Sequence, residues 1–527
     1  MLSKYKLSRR TLFLLFLVFF ICLSTLLQLD RQPPLWWDEG WTMAVAHNLA
    51  VDGYYVRYLA GAPISPEMAG SFPVVAQTAV SFRLLGVGVW QGRLPDVLCL
   101  WGAIALLYFL AVRLYGRTIA IGAVMVTLLM SVGPWLHPLI VGRQVLSEAP
   151  TVFYLLAGYA CLWGALRRRV WLILPTVFFF AIAIRIKTQV PPFWMASMLL
   201  PFAVAVYRRW ERVLILLVIV IAGTHFSADY GIVWLQNQLV GGHTVAGVGV
   251  PGLMEVTAWV FDWNIRLSAL LIALTFGLPT LVGLAAAAWE SFKGNITGLK
   301  VALNKTQDPA IETVRLALLG FTGSWLAWFV LLGMSYARYL FPVVFIGSIF
   351  TSALLYRLTL HFSLRETVKR ATAVFLRRQF KGDTLGALLA VILIAVTVPF
   401  NLFTLDLLSF YLDYNTNKKP AAEQVVEYLN TRTPTQALIE TYDSELFFLL
   451  DRHYHYPPDV VHVQLIQRID LKQDVSIEYN PLAADPDYLV IGHFSRKWHL
   501  YDDVIASGAF RKIENFPGYE IYERVRK

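Results

Sequence analysis

Trp36-Trp37-Asp38-Glu39-Gly40-Trp41 sets two adjacent carboxylates among tryptophans, just after the apolar run of residues 11–29. Tryptophan is at home at a membrane interface, but ionisable groups at that depth need a partner or a task. A poorly hydrated, Trp-lined carboxylate gains proton affinity, which suits a general base. Neighbours in sequence can point different ways, so one of Asp38 and Glu39 can do chemistry while the other orients it. The plain alternatives are solvated loop acids, or an acid pair at a helix N-terminus favoured by the helix dipole.

Three further stretches carry charge in comparable settings. Arg143-Gln144-Val145-Leu146-Ser147-Glu148 precedes an apolar run; Ser147 and Glu148 can cap the helix there, with Arg143 paired to Glu148, or Glu148 is a second acid facing a shared cavity. Arg185-Ile186-Lys187-Thr188-Gln189 stands before Pro191-Pro192. Such residues often snorkel to an interface, but Arg and Lys also suit phosphate oxygens. Tyr336-Ala337-Arg338-Tyr339-Leu340-Phe341-Pro342 is either part of an interfacial aromatic belt or a second phosphate clamp. His137, His225 and His243 are scattered without metal-ligand spacing and read as loop or packing residues. No GxGxxG, P-loop or GxSxG pattern occurs, which argues against a soluble nucleotide site. No cofactor is expected; a divalent metal stays open.

The elements that must position these residues are membrane spans. The 527 residues are 57% hydrophobic and 15% charged, mean hydropathy is +0.56, and apolar stretches near the ~20 residues needed to cross a bilayer recur along the chain. The net charge of +10 is spread in short clusters between those stretches, which follows the positive-inside rule and argues against a nucleic-acid partner. Cys22, Cys99 and Cys161 lie in apolar runs and form no disulfide or metal pattern. Residues 11–29 lack a small-residue cleavage site and read as a retained span.

Lys4, Lys6, Arg9 and Arg10 place the N-terminus in the cytoplasm and residues 30–90 in a first outer loop. About eleven spans follow from the hydropathy, near residues 11–29, 94–112, 118–136, 149–166 and 170–184, a sixth coming back to Arg208, Arg209 and Arg212, then 213–223, 264–288, 314–333, 338–356 and 384–404. A loop through residue 262 follows the seventh, with the glycine-rich stretch 241–249 as a candidate lid. Residues 408–527 are charged and proline-punctuated, with strand-like runs such as 487–492 and a helical pattern over 421–430. The expected architecture is mainly α: a polytopic transmembrane bundle over 1–407 and a small extracytoplasmic α/β domain over 408–527. Dense basic clusters fall on the inner side; Arg143, Arg185, Lys187 and Arg338 fall on the outer. An anion in the outer leaflet would account for them.

Taken in order, the four stretches resemble the GT-C superfamily of integral-membrane glycosyltransferases, and within it the branch of the protein O-mannosyltransferases and bacterial aminoarabinose–lipid A transferases. Trp36 to Gly40 matches that family's acidic motif after the first span. Arg143 and Glu148 are similar to its Arg and acid before the fourth span, Lys187 to a basic residue after the fifth, and Arg338 to Pro342 to an R-Y-x-x-P segment. The resemblance spans roughly residues 1–410. The mannosyltransferases' β-trefoil insertion and the aminoarabinose transferases' acceptor-side features are not recognisable.

The resemblance implies a polyprenyl-monophosphate-linked sugar donor, used on the outer face of the cell (plasma or inner) membrane. It implies a hydroxyl or phosphate acceptor on a lipid, glycan or protein. Lys187 and Arg338, with Arg185, Arg143 and Tyr339 beside them, are then expected at the donor phosphate. Asp38 is the expected base, Glu39 and Glu148 the positioning acids, and the displacement inverting. A transporter or flippase of lipid-linked sugars, a lipid-diphosphate-sugar ligase or polymerase, and an inactive scaffold are the rival readings.

Overall fold

A computed structural model describes residues 9–240, 250, 252–303, 308–376, 378, 380–405 and 419–526, without side chains for 9–10 and 292–303. The glycine-rich stretch 241–249, with His243, and the expected boundary at 407–408 lie outside the described residues.

The membrane part is a bundle built on α1 (Arg9–Leu26), α4 (Val89–Tyr115), α5 (Arg117–Leu129), α6 (Glu148–Leu166), α7 (Ile173–Ile186), α8 (Val190–Arg208), α9 (Glu211–Val240), α10 (Trp263–Leu303), α11 (Pro309–Leu331), α12 (Phe341–Leu358) and α14 (Gly382–Leu405). Between α1 and α4 come α2 (Trp37–Val51), the hairpin β1 (Arg57–Leu59) and β2 (Ala62–Ile64), and α3 (Phe72–Leu85). By length and composition, eight described helices can cross a membrane, fewer than the eleven spans expected. The expected first, third and fifth spans are shorter apolar helices, Thr11–Leu26, Arg117–Leu129 and Val170–Ile186. The chain is a multi-pass membrane protein.

Two segments depart from the sequence expectation. The seventh span does not stop near residue 223: α9 runs on through a π-helical turn at Ser227–Ile232 to Val240. A π turn widens the helix without ending it, so the polar Asp229 and Gln236 are carried on a helix rather than in a loop. The third span ends early, at Leu129, and residues 130–137 form turns that carry Trp135 toward α2. Apolar side chains such as Phe16, Phe19 and Ile215 stay exposed on the bundle's outside, as expected for surface that meets lipid tails. The most central helix is α12, with 94% of its apolar stretch buried. An amphipathic helix, α13 (Leu364–Leu376), connects α12 to α14.

The C-terminal part is α/β. Helix α15 (Ala421–Arg432) packs beside a five-stranded sheet of β3 (Leu438–Thr441), β4 (His453–His455), β5 (Tyr488–Ile491), β6 (Phe510–Phe516) and β7 (Tyr519–Arg524), ordered β4-β3-β5-β7-β6. β4, β3 and β5 are parallel; β7 runs antiparallel to β5 and β6. The short helices α16 (Asp459–Leu465) and α17 (His493–Lys497) flank it. Near Trp37 this unit meets the segment between α1 and α4. There Trp37 Nε1 donates to the Tyr442 carbonyl at 2.8 Å, and Ser444 Oγ donates to the Trp37 carbonyl at 2.6 Å. Arg57 pairs with Asp459 at 2.8 Å, and Gly40 lies against the Ser444–Glu445 backbone with no room for a Cβ.

Candidate active site

Asp38 and Glu39 stand in the first turn of α2, where the helix dipole favours both. Their side chains diverge. Glu39 points into the bundle and binds Arg93, on the first turns of α4, through both oxygens at 2.7 and 2.8 Å; neither side chain is accessible. It also accepts from Val145 N at 3.1 Å and Trp36 N at 3.2 Å. A buried guanidinium is costly unless its donors are met, and a bidentate carboxylate meets two of them, so Glu39 is committed to holding α2, α4 and the loop before α6 together. It is not brought to the outer cations.

Asp38 turns the other way, toward the guanidinium of Arg338, with which it forms a close ion pair. Protein rings the pair, yet 34% of the Asp38 side chain and 24% of Arg338 remain accessible. Burial raises the proton affinity of Asp38, but the charge and hydrogen bond of Arg338 outweigh it and hold the carboxyl below the usual carboxylate range. Glu148, the first residue of α6, forms a close ion pair with Lys187, which follows α7. The two pairs share one ring: Lys187 Nζ lies 5.4 Å from the centre of Tyr339, and the Arg338 guanidinium carbon 5.9 Å. Asp38, Glu148, Lys187, Arg338 and Tyr339 therefore converge, supplied by α2, α6, the end of α7 and the turn Ala337–Leu340 that opens α12.

The remaining expected residues lie elsewhere. Arg143 is fully buried and donates to the carbonyls of Ser24 and Leu27, at 2.9 and 2.5 Å, where α1 ends. The last carbonyls of a helix have no intrahelical donors, and a guanidinium there also meets the negative end of the dipole. Arg143 thus anchors α1 and does not pair with Glu148. Ser147 is the N-cap residue of α6 but makes no side-chain cap. Arg185, in the last turn of α7, has no hydrogen bond or ion pair among the described residues, and its charge reaches Tyr55. His137 is a packing histidine, its Nε2 2.8 Å from the Leu128 carbonyl, and His225, on α9, packs edge-on to Trp194 of α8. Among the described residues no three His, Cys, Asp or Glu side chains gather as a metal site.

Comparison with family models and with curated proteins finds no match. Solved structures do match. ArnT from Cupriavidus metallidurans, an aminoarabinose lipid A transferase, aligns in its undecaprenyl phosphate-bound form over 98% of both chains, with TM-score 0.60 and 16% identity. Its apo form aligns over 98% of this chain and 99% of its own, with TM-score 0.62 and 15% identity. This is the GT-C fold. The archaeal oligosaccharyltransferase AglB from Archaeoglobus fulgidus, in complex with an inhibitory peptide and a dolichol-phosphate, also matches. It covers 97% of this chain and 74% of its own, with TM-score 0.53 and 11% identity. The GT-C likeness extends past residue 410, where the sequence resemblance stopped, because it embraces the C-terminal sheet as well.

Two residues around this cluster were not singled out in the sequence. Arg93 stands with Asp96 at the start of a long apolar run, and that Arg-x-x-Asp spacing ahead of a span was the available signal. His462, from α16, stacks on Trp37 next to Asp38. No local pattern links positions so far apart.

Proposed function

We propose that this chain is a membrane glycosyltransferase that moves a sugar from a polyprenyl-monophosphate carrier to an acceptor hydroxyl or phosphate on the extracytoplasmic face of the cell membrane. The observation that carries the reading is the convergence of two acid–cation pairs around Tyr339 in a GT-C fold. ArnT with undecaprenyl phosphate and AglB with dolichol-phosphate share that fold, and a lipid phosphate of this kind matches the cations Lys187 and Arg338. Arg185 is a reserve contact to the same headgroup or its neighbours.

Each of these cations is paired with an acid. A donor phosphate draws Arg338 and Lys187 onto its oxygens, and the hold of Arg338 on Asp38 weakens. The proton affinity of Asp38 then rises toward that of a useful base, since burial now acts without the opposing cation. The acceptor O–H gives its proton to Asp38 while its oxygen bonds to the anomeric carbon. The carbon–phosphate oxygen bond breaks, and the electron pair leaves on the phosphate, where Lys187 and Arg338 stabilise it. One displacement inverts the anomeric centre. Glu148 keeps Lys187 in place, and Glu39 acts through Arg93 as a structural acid.

The test is transfer of radiolabel from a panel of polyprenyl-monophosphate sugars to a membrane extract by the purified full chain. Transfer should occur with one donor and fall by about 10²–10⁴-fold in Asp38→Asn, with donor binding retained. A chain that consumes no donor while carrying lipid-linked sugar across proteoliposomes would be a transporter instead.

A further inference from the structure

The imidazole of His462 is held on three sides. Trp37 stacks on one face, centroids 4.7 Å apart and planes 13° from parallel, and Trp498 on the other at 5.5 Å and 17°. The Tyr442 hydroxyl bonds Nδ1. The clamp is itself fixed, because Trp37 is bonded at both its indole nitrogen and its carbonyl to the Tyr442–Ser444 segment. A residue needed only to fill the space between two indoles could be Phe. This one keeps a polar edge: Nε2 has no hydrogen-bond partner among the described residues, yet it is not among the buried polar atoms left without one. It therefore opens onto accessible space.

The ring lies near the proposed reacting groups. Trp37 and Asp38 are consecutive, and the charges of Asp38, Asp459, Asp470 and Arg338 all act on His462. Burial outweighs the three acids and pushes the imidazole down to about 4, so the ring is neutral at physiological pH. Tyr442 is shifted well above its ordinary value, chiefly by burial, and keeps its hydrogen. In the tautomer in which the Tyr442 hydroxyl donates to Nδ1, the ring's own proton stands on Nε2. Lys187 and Arg338 approach the site from the membrane helices, where a lipid phosphate arrives. His462 approaches from the C-terminal unit, on α16.

We propose that His462 binds the acceptor: its Nε2–H donates to an oxygen of a hydroxyl-bearing acceptor and holds it beside Asp38. This rests on the glycosyl-transfer reading above and adds to it a residue for acceptor choice. A neutral donor suits an alcohol oxygen and leaves the acceptor proton free to go to Asp38.

The test uses the full chain in lipid nanodiscs, with the donor that wild type turns over and a detergent extract of membranes titrated as acceptor. Three quantities are read: half-saturation by extract, half-saturation by donor, and donor hydrolysis to water with extract omitted. His462→Phe keeps the stack and should raise half-saturation by extract about tenfold, the loss of one neutral hydrogen bond, with the other two within twofold of wild type. His462→Gln, which retains a donor, should recover part of the loss. If either variant misfolds, the other carries the comparison. Unchanged extract half-saturation, or an equal loss in donor hydrolysis, would overturn the proposal and leave glycosyl transfer standing. A wild-type chain that binds donor but neither transfers nor hydrolyses it overturns both.

Discussion

Asp38 and Glu39 differ by one position on the first turn of α2, about 100° around the helix, and that rotation sends one to Arg338 and the other to Arg93. The consequences differ in kind. Glu39→Ala strands a fully buried guanidinium and should cost about 3–5 kcal/mol, seen as a large drop in melting temperature or loss of folded protein. Asp38→Asn keeps a hydrogen-bonding group at a partly open site, so its melting temperature should stay near wild type while transfer disappears. Equal destabilisation by both would remove the distinction between structural and reactive acid. A third acid gives a pH signature. Burial, with the charge of nearby Asp443, pushes Glu445 up to about 8 from an ordinary 4.5, although Tyr519 donates to it at 2.7 Å. The folded state thus holds a proton that the unfolded chain has already lost. Its contribution is fully present below pH 4.5 and fades as pH rises toward 8. Melting between pH 5 and 8 should accordingly fall more in wild type than in Glu445→Gln; parallel profiles would refute the assignment.

At the scale of elements, α2 places Asp38, and it does so only because the C-terminal unit backs it. Gly40 is glycine because a Cβ there would collide with the backbone of Ser444 and Glu445, and backbone cannot rotate aside. Gly40→Ala should cost about 1–3 kcal/mol by overpacking and shift α2 away from Arg338, lowering transfer more than a stability loss of that size explains. Wild-type activity in that variant would show the contact to be dispensable. The acidic motif, the cations and the helices that carry them were legible in the sequence, since charge against a hydropathy pattern stands out locally. Arg93 was not, because it sits at the margin of a span where averaging hides it. The stack of Trp37 on His462 was not legible either, because the two are joined only by tertiary structure. The length of α9 escaped because polar residues read as a loop when a π turn carries them.

At the scale of the whole molecule, these contacts constrain the path the chain can take through the membrane. Trp37 stacks on His462, so the segment between α1 and α4 and the C-terminal unit share one side, and the helices between must cross an even number of times. α4 starts at the Glu39–Arg93 pair and is 27 residues long, about 40 Å at 1.5 Å per residue, so it ends on the opposite face. α6 begins with Glu148 back at the Lys187–Tyr339 rim, which requires α5 to return despite its 13 residues. α6 then leads away and α7 brings Lys187 back. We propose that both short helices cross as well, so that α4 through α12 together with α14 satisfy the parity and α1 leads from a cytoplasmic N-terminus. Basic residues agree: Arg113, Arg167, Arg208 and Lys369 all fall on the side opposite Asp38 by this path, the cytoplasmic side under the positive-inside bias. In a chain with Cys22, Cys99 and Cys161 replaced by serine, Lys472→Cys should react with a membrane-impermeant maleimide in intact cells. Lys369→Cys, on α13, should react only after permeabilisation. The reverse pattern would put the acid–cation site in the cytoplasm, where a carrier-linked donor displayed on the outer face could not reach it.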